Sequence, residues 1–317
     1  MKKYLIMCGA GFIGSNLAYK YAQDKENEIY IIDNLSTGKM ENLKEIVEKY
    51  KNVHFYKEDI RNSNIIKFIK DNKFDNIYNF ACPASPKYYL KFPIDTWETS
   101  IIGISNILKA IKGTKTKLLQ ASTSEVYGDA KEIPQREEYW GHVNCIGVRA
   151  CYDEGKRAAE SLIFDYKRLY NVDVRVIRIF NTYGPRMDKN DGRIISNFIN
   201  QAINNIDITI YGTGKQTRSF CYIDDTINAI IKIMDRKEHI DYPINIGNPI
   251  EISVKKVADI IKMLTKSKSD IVFCKAMNDE PQRRKPDITN AINLLGWKPK
   301  IELQEGLIKC IKYYNKK

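Results

Sequence analysis

Apolar residues arrive in short unbroken runs along the first 180 positions of the chain. "YLIMC" (4–8), "EIYIID" (28–33), "NVHFY" (52–56), "DNIYNFA" (75–81), "KLLQAS" (117–122) and "VRVIRIF" (174–180) each read as a strand buried on both faces. A helix-length stretch separates each run from the next. After the first run, Phe12, Ile13, Leu17 and Tyr21 recur at helical spacing. Strands alternating with helices predict an α/β fold with a doubly wound parallel sheet, the Rossmann architecture.

Beyond residue 180 the rhythm shortens to a glycine-proline turn at "TYGPR", a helix near 192–205, "ITIYGTG", another helix near 224–235 and "YPINIG". This predicts a smaller C-terminal lobe built onto the sheet. Residues 1–180 are expected to form the dinucleotide-binding domain and 181–317 mainly a substrate-binding lobe, with return of the chain to the first domain left open. No internal repeat or low-complexity linker is visible, and the lysine-rich tail reads as frayed helix.

Composition removes several classes of function. With 317 residues, 43% of them hydrophobic, the chain is long enough for one large α/β unit or two coupled domains. Its apolar runs are too short for a membrane span. The start, "MKKYLIMCGAGFIG", breaks at Gly9 without a small-residue cleavage site, and Met7 stands where lipoprotein processing requires a small residue, so export is not expected. Seven cysteines (8, 82, 145, 151, 221, 274, 310), odd in number and without a Cys-x-x-Cys pair, argue for reduced thiols in a cytoplasm. Three histidines (54, 142, 239) share no ligand-like spacing, so no metal site is expected. The formal charge of +12 is spread through the chain among 39 acids, with no basic stripe. Nucleic acid is therefore disfavoured, while a basic surface suits a small anionic substrate.

Candidate chemistry begins directly after the first strand. Gly9-Ala10-Gly11-Phe12-Ile13-Gly14 fits G-x-G-x-x-G between a strand and a helix, the context in which glycines let the backbone approach a pyrophosphate at a helix N-terminus. Asp33, followed by Asn34, closes the second strand, where a carboxylate accepts from a ribose 2′-hydroxyl and repels a 2′-phosphate. NAD is thus favoured over NADP. Asp59 and Ile60, after the third strand, are expected near the adenine.

Tyr152 and Lys156 lie four residues apart and share a helix face. A free phenol has a pKa of about 10, and a nearby ammonium lowers it toward a usable base. Alone, Tyr-x-x-x-Lys is common by chance. It gains force from "ASTSEVYG" (121–128), which puts Thr123, Ser124 and Glu125 after the fifth strand, at the sheet edge where open α/β folds bind ligands.

Taken with these, "ACPASP" (81–86), "YWGHVN" (139–144), "RACYDEGKR" (149–157), "RIFNTYGPRM" (178–187), "DGRIISNFI" (191–199) and "RRKPDIT" (283–289) resemble the extended short-chain dehydrogenase/reductases acting on nucleotide sugars, above all the UDP-glucuronate decarboxylase group. The resemblance spans nearly the whole chain. It implies that Thr123, Ser124 and Glu125 line the sugar site beside Tyr152 and Lys156. Pro83, Arg149, Asn181 and Arg193 are then expected around the substrate, Arg218 at its diphosphate and Arg284 at the decarboxylation step, with Arg283 as the competing candidate. It further implies bound NAD that is regenerated and a homodimer. A 4,6-dehydratase of this scaffold needs an acid where Ser124 stands, so dehydration is disfavoured. Related readings stay open: a C4 dehydrogenase or epimerase, a variant releasing the 4-keto pentose, or a non-catalytic nucleotide-sugar or NAD-binding protein.

The chain departs from the family pattern at Cys8, where glycine is usual and a side chain is expected to crowd the turn. It departs again at Cys145 and Val148, which replace prolines beside "YWGHVN", and at Trp97-Glu98-Thr99-Ser100.

Overall fold

The computed structural model describes residues 1–275 and 283–315. The chain forms two compact units: Met1–Val126, Val148–Arg178 and Ile230–Pro243 make the first, and Tyr127–Gly147, Ile179–Ala229 and Ile244–Lys317 the second. A boundary at 180 therefore does not separate them. The chain leaves the first unit after Val126, comes back at Val148, and comes back again at Ile230.

The first unit is built on a parallel sheet. Its strands are β1 (Lys2–Met7), β2 (Asn27–Asp33), β3 (Val53–Lys57), β4 (Asn76–Asn79), β5 (Lys117–Thr123) and β6 (Val174–Ile179). They stand in the order β6-β5-β4-β1-β2-β3, with β1–β2, β2–β3, β1–β4 and β4–β5 paired in parallel. From β1 the order steps one way to β3, and from β4 the other way to β6. The loops after β1 and β4 diverge at this switch point, which opens a crevice at the carboxyl edge.

Continuous apolar runs form these strands because helices cover both faces. Leu5, Ile6, Met7, Ile29, Ile31, Ile77, Leu118 and Leu119 are all fully buried. In the helix Ile104–Ile111, Ile104, Ile107, Leu108 and Ile111 recur at i, i+3, i+4 and i+7 and are buried against the same core. Each such side chain contributes about 1.5–3 kcal/mol by leaving water. The long helix Ala150–Tyr170 buries Tyr152, Lys156, Ala159 and Ile163, and stops at Asn171, whose left-handed φ of 51° turns the chain away.

The segment that rejoins this unit is held through its carbonyls. Lys117 Nζ donates to Met234 O (3.1 Å) and Arg236 O (2.6 Å), Arg175 Nη2 to Glu238 O (3.0 Å), and Lys167 Nζ to Ile240 O. Burial, and then the charge of Arg175, lower the Lys117 pKa from its ordinary value.

The second unit has a three-stranded sheet in which Thr217–Ser219 lies between Glu251–Ser253, antiparallel, and Arg283–Arg284, parallel. Buried Asn245 joins distant stretches of this unit: it accepts from Tyr127 Oη (2.7 Å) and donates to the carbonyls of Gln135 (3.0 Å) and Asp287 (3.1 Å). Trp297, also buried, donates to Asp225 O at 2.9 Å. The tail corrects the expectation of fraying. Leu303–Asn315 is a packed helix with Leu307 and Cys310 buried, because its apolar positions share one face; the last two lysines lie outside the described residues. No described helix is long and apolar enough to cross a membrane.

Candidate active site

The carboxyl ends of β1, β2, β3 and β4 enclose a cavity of about 290 Å³. Cys8, Asp33, Asn34, Asp59, Ile60 and Pro83 line it, so five positions expected at a cofactor or substrate gather at one place, together with the cysteine that breaks the family pattern.

The glycine loop is tight. A Cβ on Gly14 would stand 2.6 Å from Cys8 O and 2.7 Å from Gly9 Cα, and one on Gly9 would stand 2.5 Å from the Ile31 side chain. Helix α1 (Phe12–Ala22) starts from Gly11 with no side-chain cap, which leaves the first-turn N–H groups for an anion. Gly14→Ala is expected to force the loop open and to weaken NADH binding at least 100-fold in a fluorescence titration. Unchanged affinity would show that the loop does not hold the cofactor.

Cys8 has a φ of 59°, a left-handed conformation that a glycine adopts without penalty. The departure at this position therefore leaves the turn intact and strains the backbone. Burial, then Asp33, push the Cys8 thiol well above its ordinary pKa, so it stays a neutral thiol. Cys8→Gly relieves about 1–2 kcal/mol of strain and gives back about 0.4–1 kcal/mol to the more flexible unfolded chain. A net gain of about 0.5–1 kcal/mol is expected, read as a Tm about 1–4 °C higher; a lower Tm would contradict it.

Asp33 is buried at the end of β2 and clasps the loop: Oδ2 accepts from Ala10 N (3.0 Å) and Oδ1 from Leu35 N (2.8 Å). Burial raises its carboxyl above the ordinary aspartate range against the opposing pull of those N–H groups. Asp59 differs. Burial works against its charge, but Arg61 and Asn34, which donate to it at 2.8 and 2.9 Å, hold its pKa below the ordinary value. Arg61 also reaches Asp95 (2.6 Å) and Glu98 (2.8 Å). Ser36, Thr37, Arg61, Phe92, Asp95 and Thr99 line the cavity too. The sequence reading missed them, although Ser36 and Thr37 follow Asp33 and Asn34 directly and Arg61 follows Ile60.

Tyr152 and Lys156 occupy the first turns of the helix Ala150–Tyr170, and both are buried. Lys156 Nζ stands 5.9 Å from the centroid of the Tyr152 ring and donates to Ala121 O at 2.9 Å, which ties the helix to the end of β5. Thr123 closes β5 and its Oγ1 accepts from Glu125 N (3.2 Å), while Ser124–Tyr127 turn as a 3₁₀ helix. Thr123 and Ser124 are buried, and Glu125 pairs with Arg149. Burial opposes the charge of Arg149, yet Glu125, Tyr89 and Asp153 raise its pKa above the ordinary arginine value. In the first unit the structure thus unites Thr123, Ser124, Glu125, Arg149, Tyr152 and Lys156.

Trp97 and Ser100, from the departing stretch, back this group. Tyr152 stacks on Tyr89 with centroids 5.2 Å apart and planes 6° from parallel, and Trp97 packs on the cluster of Cys82, Tyr89, Cys151 and Tyr152. Ser100 Oγ lies 3.3 Å from Cys82 Sγ, and a Cβ on Gly155 would stand 3.2 Å from Ser100. Thr99–Gly103 is a π-helical turn. Cys145 and Val148 are exposed.

The remaining expected residues belong to the second unit. Arg284 stands in register with Arg218 on the neighbouring parallel strand, so both side chains leave the same face; both are buried. Arg283, the competing candidate, is exposed and pairs with Glu251 at 2.6 Å. Arg193 precedes the helix Ile194–Ile203 and pairs with Asp191 at 3.0 Å. Asn181 is half-buried, and its carbonyl accepts from Cys221 N at 2.9 Å. Among the described residues no group of three or more His, Cys, Asp or Glu is arranged to hold a metal ion.

A family model described as GDP-mannose 4,6 dehydratase matches residues 5–310. The chain is 46% identical over 315 residues to UDP-glucuronic acid decarboxylase 1 of Xenopus tropicalis, covering 99% of this chain and 72% of that protein. It is 45% identical over 305 residues to UDP-glucuronic acid decarboxylase 3 of Arabidopsis thaliana, covering 96% and 86%. Among solved structures, the UDP-glucuronic acid 4-epimerase of Bacillus cereus in complex with UDP-glucuronic acid and NAD matches with a TM-score of 0.90 at 27% identity, over 99% of each chain. The dTDP-glucose 4,6-dehydratase of Bacillus anthracis in complex with NAD matches with a TM-score of 0.88 at 27% identity, over 100% and 97%.

Proposed function

This chain belongs to the UDP-glucuronic acid decarboxylase group of the extended short-chain dehydrogenase/reductase family, and we propose that it converts UDP-glucuronate to UDP-xylose with NAD reduced and reoxidised within one turnover. The observation that carries this reading is 46% identity to a protein of that name across 99% of this chain, joined to the Thr123-Ser124-Glu125 trio and the Tyr152–Lys156 pair. With serine at the middle of the trio, no acid stands ready to protonate a departing C6 hydroxyl.

The loop around Gly9, Gly11 and Gly14, the uncapped N-terminus of α1 with Phe12 and Ile13, and buried Asp33 fit a dinucleotide, since each meets a phosphate or ribose with the group that part requires. When bound, NAD supplies a two-electron acceptor at C4 of the sugar and later returns those electrons. Tyr152 takes the proton of the C4 hydroxyl, and Lys156 stabilises the phenolate and holds the nicotinamide ribose. The 4-keto acid then loses carbon dioxide, because the electron pair left at C5 delocalises into the ketone as an enolate. A proton relayed from water by Arg284 or Glu125 then bonds to C5 in place of the carboxyl group, and the restored ketone is the group reduced. Thr123 hydrogen-bonds that oxygen. Glu125, held by Arg149, orients the ring.

Arg218 and Arg284 are assigned to the substrate's anionic groups, the diphosphate and the C6 carboxylate. Two buried guanidiniums leaving one face of adjacent strands suit anionic groups. Asn181 and Arg193 complete the sugar and nucleotide contacts. A homodimer in the cytoplasm, binding neither nucleic acid nor membrane, belongs to the same proposal, and light scattering tests the dimer.

The experiment is mass spectrometry of the products formed from UDP-glucuronate with catalytic NAD, while reduced nicotinamide is followed by absorbance. A UDP-pentose with carbon dioxide and no net NADH is expected. A 4-keto pentose accumulating with NADH would mean that the final reduction is missing, and no turnover would sink the assignment.

A further inference from the structure

Glu160 is a buried carboxylate that the reaction above does not use. It lies one helical turn beyond Lys156 and two beyond Tyr152, on the same face of the helix. Its Oε1 accepts from Ser122 Oγ at 2.5 Å and from Arg178 Nε at 3.0 Å, and its Oε2 accepts from Arg178 Nη2 at 2.7 Å. Glu160 and Ser122 are both buried, and little of the Arg178 side chain is exposed.

A buried ion pair alone is weak evidence for anything beyond packing. Here one oxygen is shared with the hydroxyl of Ser122, the residue directly before Thr123. On the helix, Lys156 holds Ala121 O and Glu160 holds Ser122 Oγ, so successive turns grip successive residues of β5. The two grips fix how far β5 projects along the helix. That projection sets the distance from Thr123 to Tyr152, and from Lys156 to whatever Lys156 must reach.

We propose that Glu160, with Ser122 and Arg178, is a positioning residue that locks the register between the end of β5 and the Tyr152 helix. This rests on the reaction proposed above. It goes further by assigning three residues a role in placing Tyr152 and Lys156 without touching substrate or cofactor. Arg178 neutralises the carboxylate and fixes its plane by a two-point contact, leaving the Oε1 lone pair aimed at Ser122.

The test uses the full chain and two variants. Ser122→Ala removes one hydroxyl and leaves the Glu160–Arg178 pair whole, so the fold is retained. Glu160→Gln removes the charge and is the harsher change. Because a misplacement of about 1 Å costs on the order of 100-fold in rate, Ser122→Ala is expected to lower kcat about 10-fold and Glu160→Gln about 100-fold, with KM for UDP-glucuronate little changed. NADH affinity, measured by fluorescence without any sugar, should weaken several-fold in both, while Ser122→Ala lowers Tm by only a few degrees and stays folded at the assay temperature. Retention of both kcat and NADH affinity by Ser122→Ala overturns the proposal, as does a loss that only follows unfolding at the assay temperature. If the parent protein makes no UDP-pentose, the reaction assignment falls, and the NADH titration then decides: weakened affinity in a folded Ser122→Ala protein upholds the lock, and unchanged affinity ends it.

Discussion

Tyr152→Phe is expected to lower kcat for UDP-glucuronate about 1,000-fold, within the range usual for loss of a general base and equal to about 4 kcal/mol of barrier. KM for UDP-glucuronate and NADH affinity should stay within about threefold, since the phenyl ring can keep the stack on Tyr89 at 5.2 Å and only the phenolic oxygen is lost. The fall belongs in kcat because the oxygen acts on a proton that moves only in the transition state. A variant with more than a tenth of parental turnover would remove Tyr152 from its role as base. No turnover by the parent protein itself, with binding intact in parent and variant alike, would leave the fold as a binder of nucleotide sugars.

Arg284→Gln should cost about 3 kcal/mol, or about 150-fold in kcat/KM, because truncating one partner of a buried charge-assisted contact leaves the other charge unpaired. Arg283→Gln is the internal comparison. Its guanidinium is exposed and tied to Glu251, so a loss below about threefold is expected. The adjacent arginines therefore separate by site. Equal losses would indicate general damage to the strand, and a larger loss at Arg283 would reverse the assignment. Arg218→Gln should act chiefly on KM, because a diphosphate is held equally in ground and transition states.

The strands were legible because a parallel sheet covered on both faces needs unbroken apolar runs, and all six lie within two residues of the predicted bounds. The glycine loop and the Tyr152–Lys156 spacing were legible for the same kind of reason: each is a local pattern whose geometry follows from a strand-turn-helix or a helical turn. The left-handed Cys8 was visible only as a departure, since a backbone angle leaves no mark on residue type once glycine is replaced. The pairing of Arg218 with Arg284 was hidden because strands of two or three residues carry no periodicity. Trp97 and Ser100 looked unexplained until packing put them behind Tyr152. The membership of 127–147 and 230–243 depends on contacts made far along the chain, which no local pattern encodes.

The hold of Lys117, Lys167 and Arg175 on the carbonyls of 234–240 has a consequence for synthesis. A ribosome that has delivered residue 179 has made all six strands, but three cationic side chains still lack their carbonyl acceptors. Translation at about 5–20 residues per second takes several seconds to cross 179–229. During that interval the nascent first unit is one segment short, and a chaperone that shields the place this segment later takes would act in this window.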